Sequence, residues 1–153
     1  MAYYFSYSAK SLSAKLKQIA TPDLYSKLYN KNKLHCTMLY NQGLYKEEYK
    51  TLVLPDIEVT INSIEVWKTE SGSVVVAKLS GQEVYSMAEK ITQTFNIQPD
   101  KDFNPHITLR KIVSDDQFLT QEEMSQLEYL KGHTVELSKF TVVPIMPKLK
   151  LKI

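Results

Sequence analysis

Interspersed helices and hairpins predict an α+β fold for this chain. Three observations carry that expectation. Several segments alternate apolar and polar residues with the period of a strand, others repeat apolar residues at helical spacing behind recognisable caps, and the two kinds are mixed along the sequence. At 153 residues, 43% of them hydrophobic, the chain fits one compact domain or two small lobes sharing a core.

Ala2 to Tyr7, rich in Tyr and Phe, is expected to be a strand. Leu12, Leu16 and Ile19 then recur at helical spacing. Thr21 as N-cap, with Pro22 at the first helical position, predicts a short second helix whose apolar face is Leu24 and Leu28. Leu34 to Tyr40 is the next strand, and the polar residues 41–50 are expected to be a loop. Ile57 to Lys68 alternates but changes phase near Asn62-Ser63, which predicts a bulge or bend. Ser71-Gly72 turns the chain back into Val74 to Leu79. Ser80 and Glu83 have the spacing of a capping box, followed by a helix whose apolar face is Val84, Met87, Ala88, Ile91 and Phe95. Beyond Pro99 and Pro105 lies a strand from His106 to Ile112. Thr120 and Glu123 form a second capping box, with Met124, Leu127 and Leu130 as the stripe and Gly132 as the expected stop. Thr134 to Val143 is a last long strand. The tail from Pro144 to Ile153 is expected either to pair as an edge strand or to lie over the surface.

Composition narrows the function. A net charge of +2, from 19 basic and 17 acidic residues, argues against a protein that grips long nucleic acid through phosphate charge alone, and leaves room for a small anionic ligand. Four glycines are too few for a Gly-rich phosphate loop. No apolar run is long enough to span a membrane, and the N-terminus lacks the pattern of a signal peptide. The single cysteine, Cys36, has no partner for an internal disulfide, so a reducing cytoplasm is the expected compartment. No His, Cys or carboxylate cluster has metal-ligand spacing, so no metal and no other cofactor is expected. No protein partner is implied.

Two motifs carry the chemistry. In Leu34-His35-Cys36-Thr37-Met38, residues two apart share a strand face, so His35 and Thr37 point one way and the apolar residues the other. Pro105-His106-Ile107-Thr108-Leu109 repeats the arrangement with His106 and Thr108, about half the chain away, as expected if two similar lobes each supply one. Breaking an RNA-type phosphodiester needs one group to take a proton from the attacking oxygen and another to give one to the leaving oxygen. Histidine, with a reference pKa of about 6.5, suits both. A hydroxyl two residues on can donate to a phosphate oxygen as charge builds there. Cys36 falls in the apolar phase and is read as core, His133 as part of a turn, and Arg110 as a surface residue.

These paired His-x-Thr motifs resemble those of the two-histidine (2H) phosphoesterase superfamily, and the order of strands and helices is similar over most of the chain. The resemblance implies a single domain over residues 1–153, duplicated into two pseudo-symmetric lobes, with a concave antiparallel sheet groove and outer helices. Within the superfamily the chain looks most like phage anti-CBASS phosphodiesterases, which degrade the cyclic oligonucleotide signals of bacterial antiphage defence. That resemblance implies nucleotide contacts by Tyr3 (or its neighbour Tyr4), Trp67 and Glu136. The residues give partial support of their own. Trp67 shares the polar phase of its strand with Glu65, where an indole is placed to stack on a base. Glu136 shares a face with Thr134 and Ser138.

The expected function is therefore metal-independent cleavage of 3′–5′ bonds in a small cyclic di- or trinucleotide. One competing reading is an enzyme for RNA ends or 2′,3′-cyclic phosphates. The other is a non-catalytic nucleotide sponge, which would have no need of an acid and a base.

Overall fold

The computed structural model describes residues 2–145, so most of the Pro144–Ile153 tail lies outside the described residues. The elements are β1 (Tyr3–Ser8), α1 (Lys10–Ile19), α2 (Pro22–Lys27), β2 (His35–Asn41), β3 (Ile57–Thr69), β4 (Gly72–Ser80), α3 (Gln82–Phe95), β5 (His106–Ile112), α4 (Gln121–Glu128) and β6 (Thr134–Pro144).

Local chemistry sets most of the boundaries. The Thr21 hydroxyl accepts from the Leu24 amide at 3.3 Å and starts α2. At α4 the capping box is complete: the Glu123 amide donates to Thr120 Oγ1 at 3.1 Å, and the Thr120 amide donates to Glu123 Oε1 at 3.0 Å. The box expected at Ser80 does not form. Ser80 is the last residue of β4, its hydroxyl donates to the Thr60 carbonyl, and Gly81 takes the N-cap position of α3. The α4 helix ends at Glu128, four residues short of Gly132, which serves instead in the turn into β6 and donates to the Ile61 carbonyl. Gly72 closes the β3–β4 hairpin where a Cβ would meet the Ile112 carbonyl oxygen at 2.0 Å, so no side chain fits there.

All strand pairs are antiparallel, and the order β1-β2-β5-β4-β3-β6 closes on itself. Closure depends on β6. Its first half pairs with β3, from Ile57↔Leu137 to Thr60↔Thr134, and its second half pairs with β1. Lys139, with a left-handed φ of 51°, sits just inside the second half, where an extra residue on β6 between Ser138 and Thr141 bends the strand soon after it passes from β3 to β1. The phase change expected in β3 is a bulge: Ile61 faces Leu79, but Ser63 faces Lys78.

One face of the sheet carries the apolar side chains and is covered by helices. Phe5, Tyr7, Cys36, Val59, Leu79, Ile107 and Leu137 join Leu12 and Leu16 of α1 and Val84 and Ile91 of α3 in one buried cluster. Tyr49, from a 3-10 turn at Glu47–Thr51 inside the segment expected to be a polar loop, completes an aromatic group with Tyr3, Phe5 and Phe95. The opposite face is polar. Ser6 and Val76 lie on it and are buried, yet neither belongs to the apolar cluster. Such burial fits the floor of a recess.

Candidate active site

β2 and β5 lie side by side with Cys36 opposite Ile107. In an antiparallel pair this register puts Thr37 opposite His106 and His35 opposite Thr108, all on the face away from the core. The two His-x-Thr motifs therefore form one patch with local two-fold character, the histidines on its diagonal. Ideal sheet spacing sets their Cα atoms roughly 8 Å apart, enough for a phosphate between the side chains. On one flank Ser8 is the register partner of His35 and Ser6 of Thr37; on the other, Lys78 faces His106 and Val76 faces Thr108.

Both imidazoles are held in the same way. His35 Nδ1 lies 3.3 Å from the Lys33 carbonyl and His106 Nδ1 lies 2.7 Å from the Asn104 carbonyl, each two residues upstream. A carbonyl can only accept, so Nδ1 carries the hydrogen and Nε2 remains the exchanging nitrogen of the neutral ring. Each histidine also has an aromatic neighbour. Trp67 stands edge-on to His106 with ring centroids 4.7 Å apart, and Tyr4 lies 6.2 Å from His35. Burial lowers the His106 pKa below the ordinary 6.5; the bond to Asn104 opposes the shift, and the charge of His35 adds to it.

The polar face of β3 supplies a second cluster. Trp67 Nε1 donates to Glu65 Oε1 at 2.9 Å, and the Ser63 hydroxyl donates to Glu65 Oε2. The Glu65 carboxyl is held below its usual range by these two bonds, Ser63 first, and by the charge of Lys78. Lys78, Glu65 and Ser63 were not singled out in the sequence. The available signal was their alternation with core residues in two paired strands, but the bulge at Asn62 hides the register that brings Lys78 beside Ser63 and Glu65.

Tyr3 requires a correction. It is 2% exposed and packs against Phe5, Tyr45 and Tyr49. Odd-numbered positions of β1 face the core, so a nucleotide cannot reach it, and its phenol is driven above its usual range chiefly by burial. Tyr4, on the other phase, is the tyrosine beside His35. Glu136 is exposed on β6 with Glu58 as its register partner, and its backbone bonds in both directions with the Ser11 hydroxyl. Its contacts are thus with β3 and α1 rather than with the histidine pair.

Arg110 is half-buried and structural: Nε donates to the Gln117 carbonyl and Nη1 to the Lys27 carbonyl, tying β5 to the end of α2. Cys36 is fully buried, and desolvation pushes its thiol up to about 12, which rules out a thiolate nucleophile at neutral pH. His133 is exposed in the turn before β6. Among the described residues no three His, Cys, Asp or Glu side chains gather as a metal site, and no helix is long and apolar enough to cross a membrane. A hollow of about 470 Å³ lies between α3, β2 and the segment around Phe103, on the opposite side of the sheet from the histidines.

Known structures share this architecture. The chain is similar to the TT0787 protein of Thermus thermophilus, with 17% identity and a TM-score of 0.58 over 97% of this chain and 91% of that one. It is also similar to E. coli LigT, solved in complex with 3′-AMP, with 15% identity and a TM-score of 0.54 over 92% of this chain and 85% of that one. A structure described as a phosphoesterase aligns at 15% identity and a TM-score of 0.53, over 92% and 86% of the two chains. These likenesses establish a LigT-like fold. No curated protein matches the chain. Residues 2–138, which include both His-x-Thr motifs, match the family described as anti-CBASS protein Acb1, and the chain belongs to that family.

Proposed function

We propose that this protein is a metal-independent phosphodiesterase that opens small cyclic oligonucleotides at a 3′–5′ bond, using His35 and His106 as acid and base. The observation that carries the reading is the Cys36↔Ile107 register, which sets two His-x-Thr motifs across from each other on a recessed polar face. Membership in a family named for countering CBASS supports a nucleotide signal as the substrate. The single domain is proposed to comprise two lobes, each supplying one motif.

In the proposed reaction, neutral Nε2 of one histidine removes the proton of a ribose 2′-hydroxyl. That oxygen attacks the adjacent phosphorus while the other histidine, as imidazolium, protonates the departing 5′-oxygen. The products are a new 5′-hydroxyl and a 2′,3′-cyclic phosphate, which water can open to a 3′-phosphate with the histidine roles reversed. An internal nucleophile gains the advantage of proximity without a metal to activate water. Thr37 and Thr108 donate to the non-bridging oxygens. The depressed pKa of His106 favours its neutral form and supports it as the base of the first step. Trp67 and Tyr4 provide stacking surfaces on either side, and Lys78 adds a positive charge near the phosphate.

The test compares a 3′–5′ cyclic dinucleotide with its analogue lacking the scissile 2′-hydroxyl and with a linear dinucleotide, all in EDTA. Rapid cleavage of the cyclic ribonucleotide alone is expected. Equal cleavage of the deoxy analogue eliminates 2′-hydroxyl attack, and preference for the linear compound moves the protein to RNA ends.

A further inference from the structure

We propose that Glu65 is a positioning residue that fixes the Trp67 indole against His106, so that one carboxylate sets the base-stacking surface next to the reacting imidazole. The proposal rests on the reading of His106 and Trp67 given above.

Ser63, Glu65 and Trp67 occupy alternate positions of β3 and share its polar face. Beyond the helix-covered part of the sheet, an indole on a strand end has no core to hold it and would sample several rotamers. Here its N–H is engaged by Glu65 Oε1 at 2.9 Å. The other carboxylate oxygen is occupied by the Ser63 hydroxyl, which prevents the carboxylate from swinging away. Lys78, register partner of both Ser63 and His106, places a cation beside the carboxylate. That cation offsets the repulsion Glu65 would exert on an incoming phosphate. With both oxygens directed at neighbouring side chains, the carboxylate acts on substrate through the indole rather than by touching it.

Trp67 is the only tryptophan in the chain, so fluorescence excited at the red edge, where the tyrosines do not absorb, reports its environment alone. In Glu65→Ala the emission is expected to shift to the red and to become more readily quenched by acrylamide. The Kd for a cyclic dinucleotide should weaken about tenfold, as expected for loss of an ordered stacking partner. Turnover at saturation should stay within about threefold, because the histidines are untouched. Glu65→Gln keeps an acceptor for the indole and a donor for Ser63 Oγ, and should restore both emission and affinity. Ser63→Ala should give a smaller shift in the same direction.

Unchanged emission and quenching in Glu65→Ala would overturn the proposal. If that variant does not fold, unchanged emission in Ser63→Ala overturns it instead. An emission shift without any loss of affinity overturns the stacking role of Trp67 on which the proposal depends. It leaves the two-histidine chemistry to be judged by the cleavage assay alone.

Discussion

The indole of Trp67 stands at 64° to the imidazole of His106 with ring centroids 4.7 Å apart, so the same side chain that buries the histidine also presents an aromatic surface beside it. Replacing Trp67 with Ala should weaken nucleotide binding by about 1–3 kcal/mol, the value of one base stack, with a smaller effect on turnover at saturation. Titration calorimetry with a cyclic dinucleotide checks this; unchanged affinity returns Trp67 to a covering role.

His35→Ala and His106→Ala should each lower kcat by about 10²–10⁴-fold, the usual contribution of a general acid or base. Neither imidazole supports the core, so circular dichroism and thermal midpoint should stay near wild type. Thr37→Val and Thr108→Val should be milder, each removing one donor to the phosphate. A folded histidine variant that turns over at the wild-type rate would sink the assignment.

The pH profile follows from the environment of His106. A base must be neutral to act, so the rate rises with pH as the base loses its proton. The His106 pKa is lowered by burial, so the acidic limb of kcat/KM for the free enzyme should lie below the ordinary histidine value of about 6.5. Stability shifts in the corresponding sense. Below about 6.5 the unfolded chain binds the His106 proton more readily than the folded one, so this contribution falls as pH drops from 6.5 through the folded pKa. His106→Gln should abolish that part of the pH dependence in denaturant unfolding. Activity in EDTA should be undiminished throughout, and loss on chelation with recovery on adding a divalent ion would refute the metal-free route.

Adjacent tyrosines on β1 should behave in opposite ways. Tyr3→Ala removes a ring from the aromatic core and should cost about 3–5 kcal/mol of stability. Tyr4→Ala should change stability by no more than about 1 kcal/mol and act on nucleotide affinity, since its ring lies beside His35. Chemical denaturation and binding measurements on the two variants separate the roles.

The contrast between Tyr3 and Tyr4 also shows where the sequence is legible and where it is not. All six strands were read from alternation, from β-branched and aromatic content or from flanking turns, and the phase around Cys36 and Ile107 placed the histidines and threonines on one face without any tertiary information. Phase within Tyr3-Tyr4-Phe5-Ser6-Tyr7 is ambiguous, because four of the five residues are aromatic and both faces look apolar. Only the pairing of β1 with β2 and β6 decides which ring turns inward. Glu65 and Lys78 were hidden for a related reason: their proximity depends on a bulge and on cross-strand register, neither of which composition specifies. The Ser80 box failed because Ser80 stays in β4 as the register partner of Thr60, so the helix starts one residue later with Gly81 as its N-cap, an outcome that only strand pairing decides.

Cys36 and Ile107 are the single register pair joining β2 to β5, whereas β4 meets β5 along most of its length and β3 meets β4 over nearly all of its own. The ring of strands therefore has one thin seam, and it runs between the two histidines. Local opening is cheapest where the fewest ladder bonds must break, so the gap between the imidazoles is the place where the fold can breathe without disturbing either side. On the proposed reading, a phosphate bound across that gap would staple it shut. Amide hydrogen exchange at the seam should slow when a non-cleavable cyclic dinucleotide binds, making the rung a reporter of occupancy as well as the scaffold of the site.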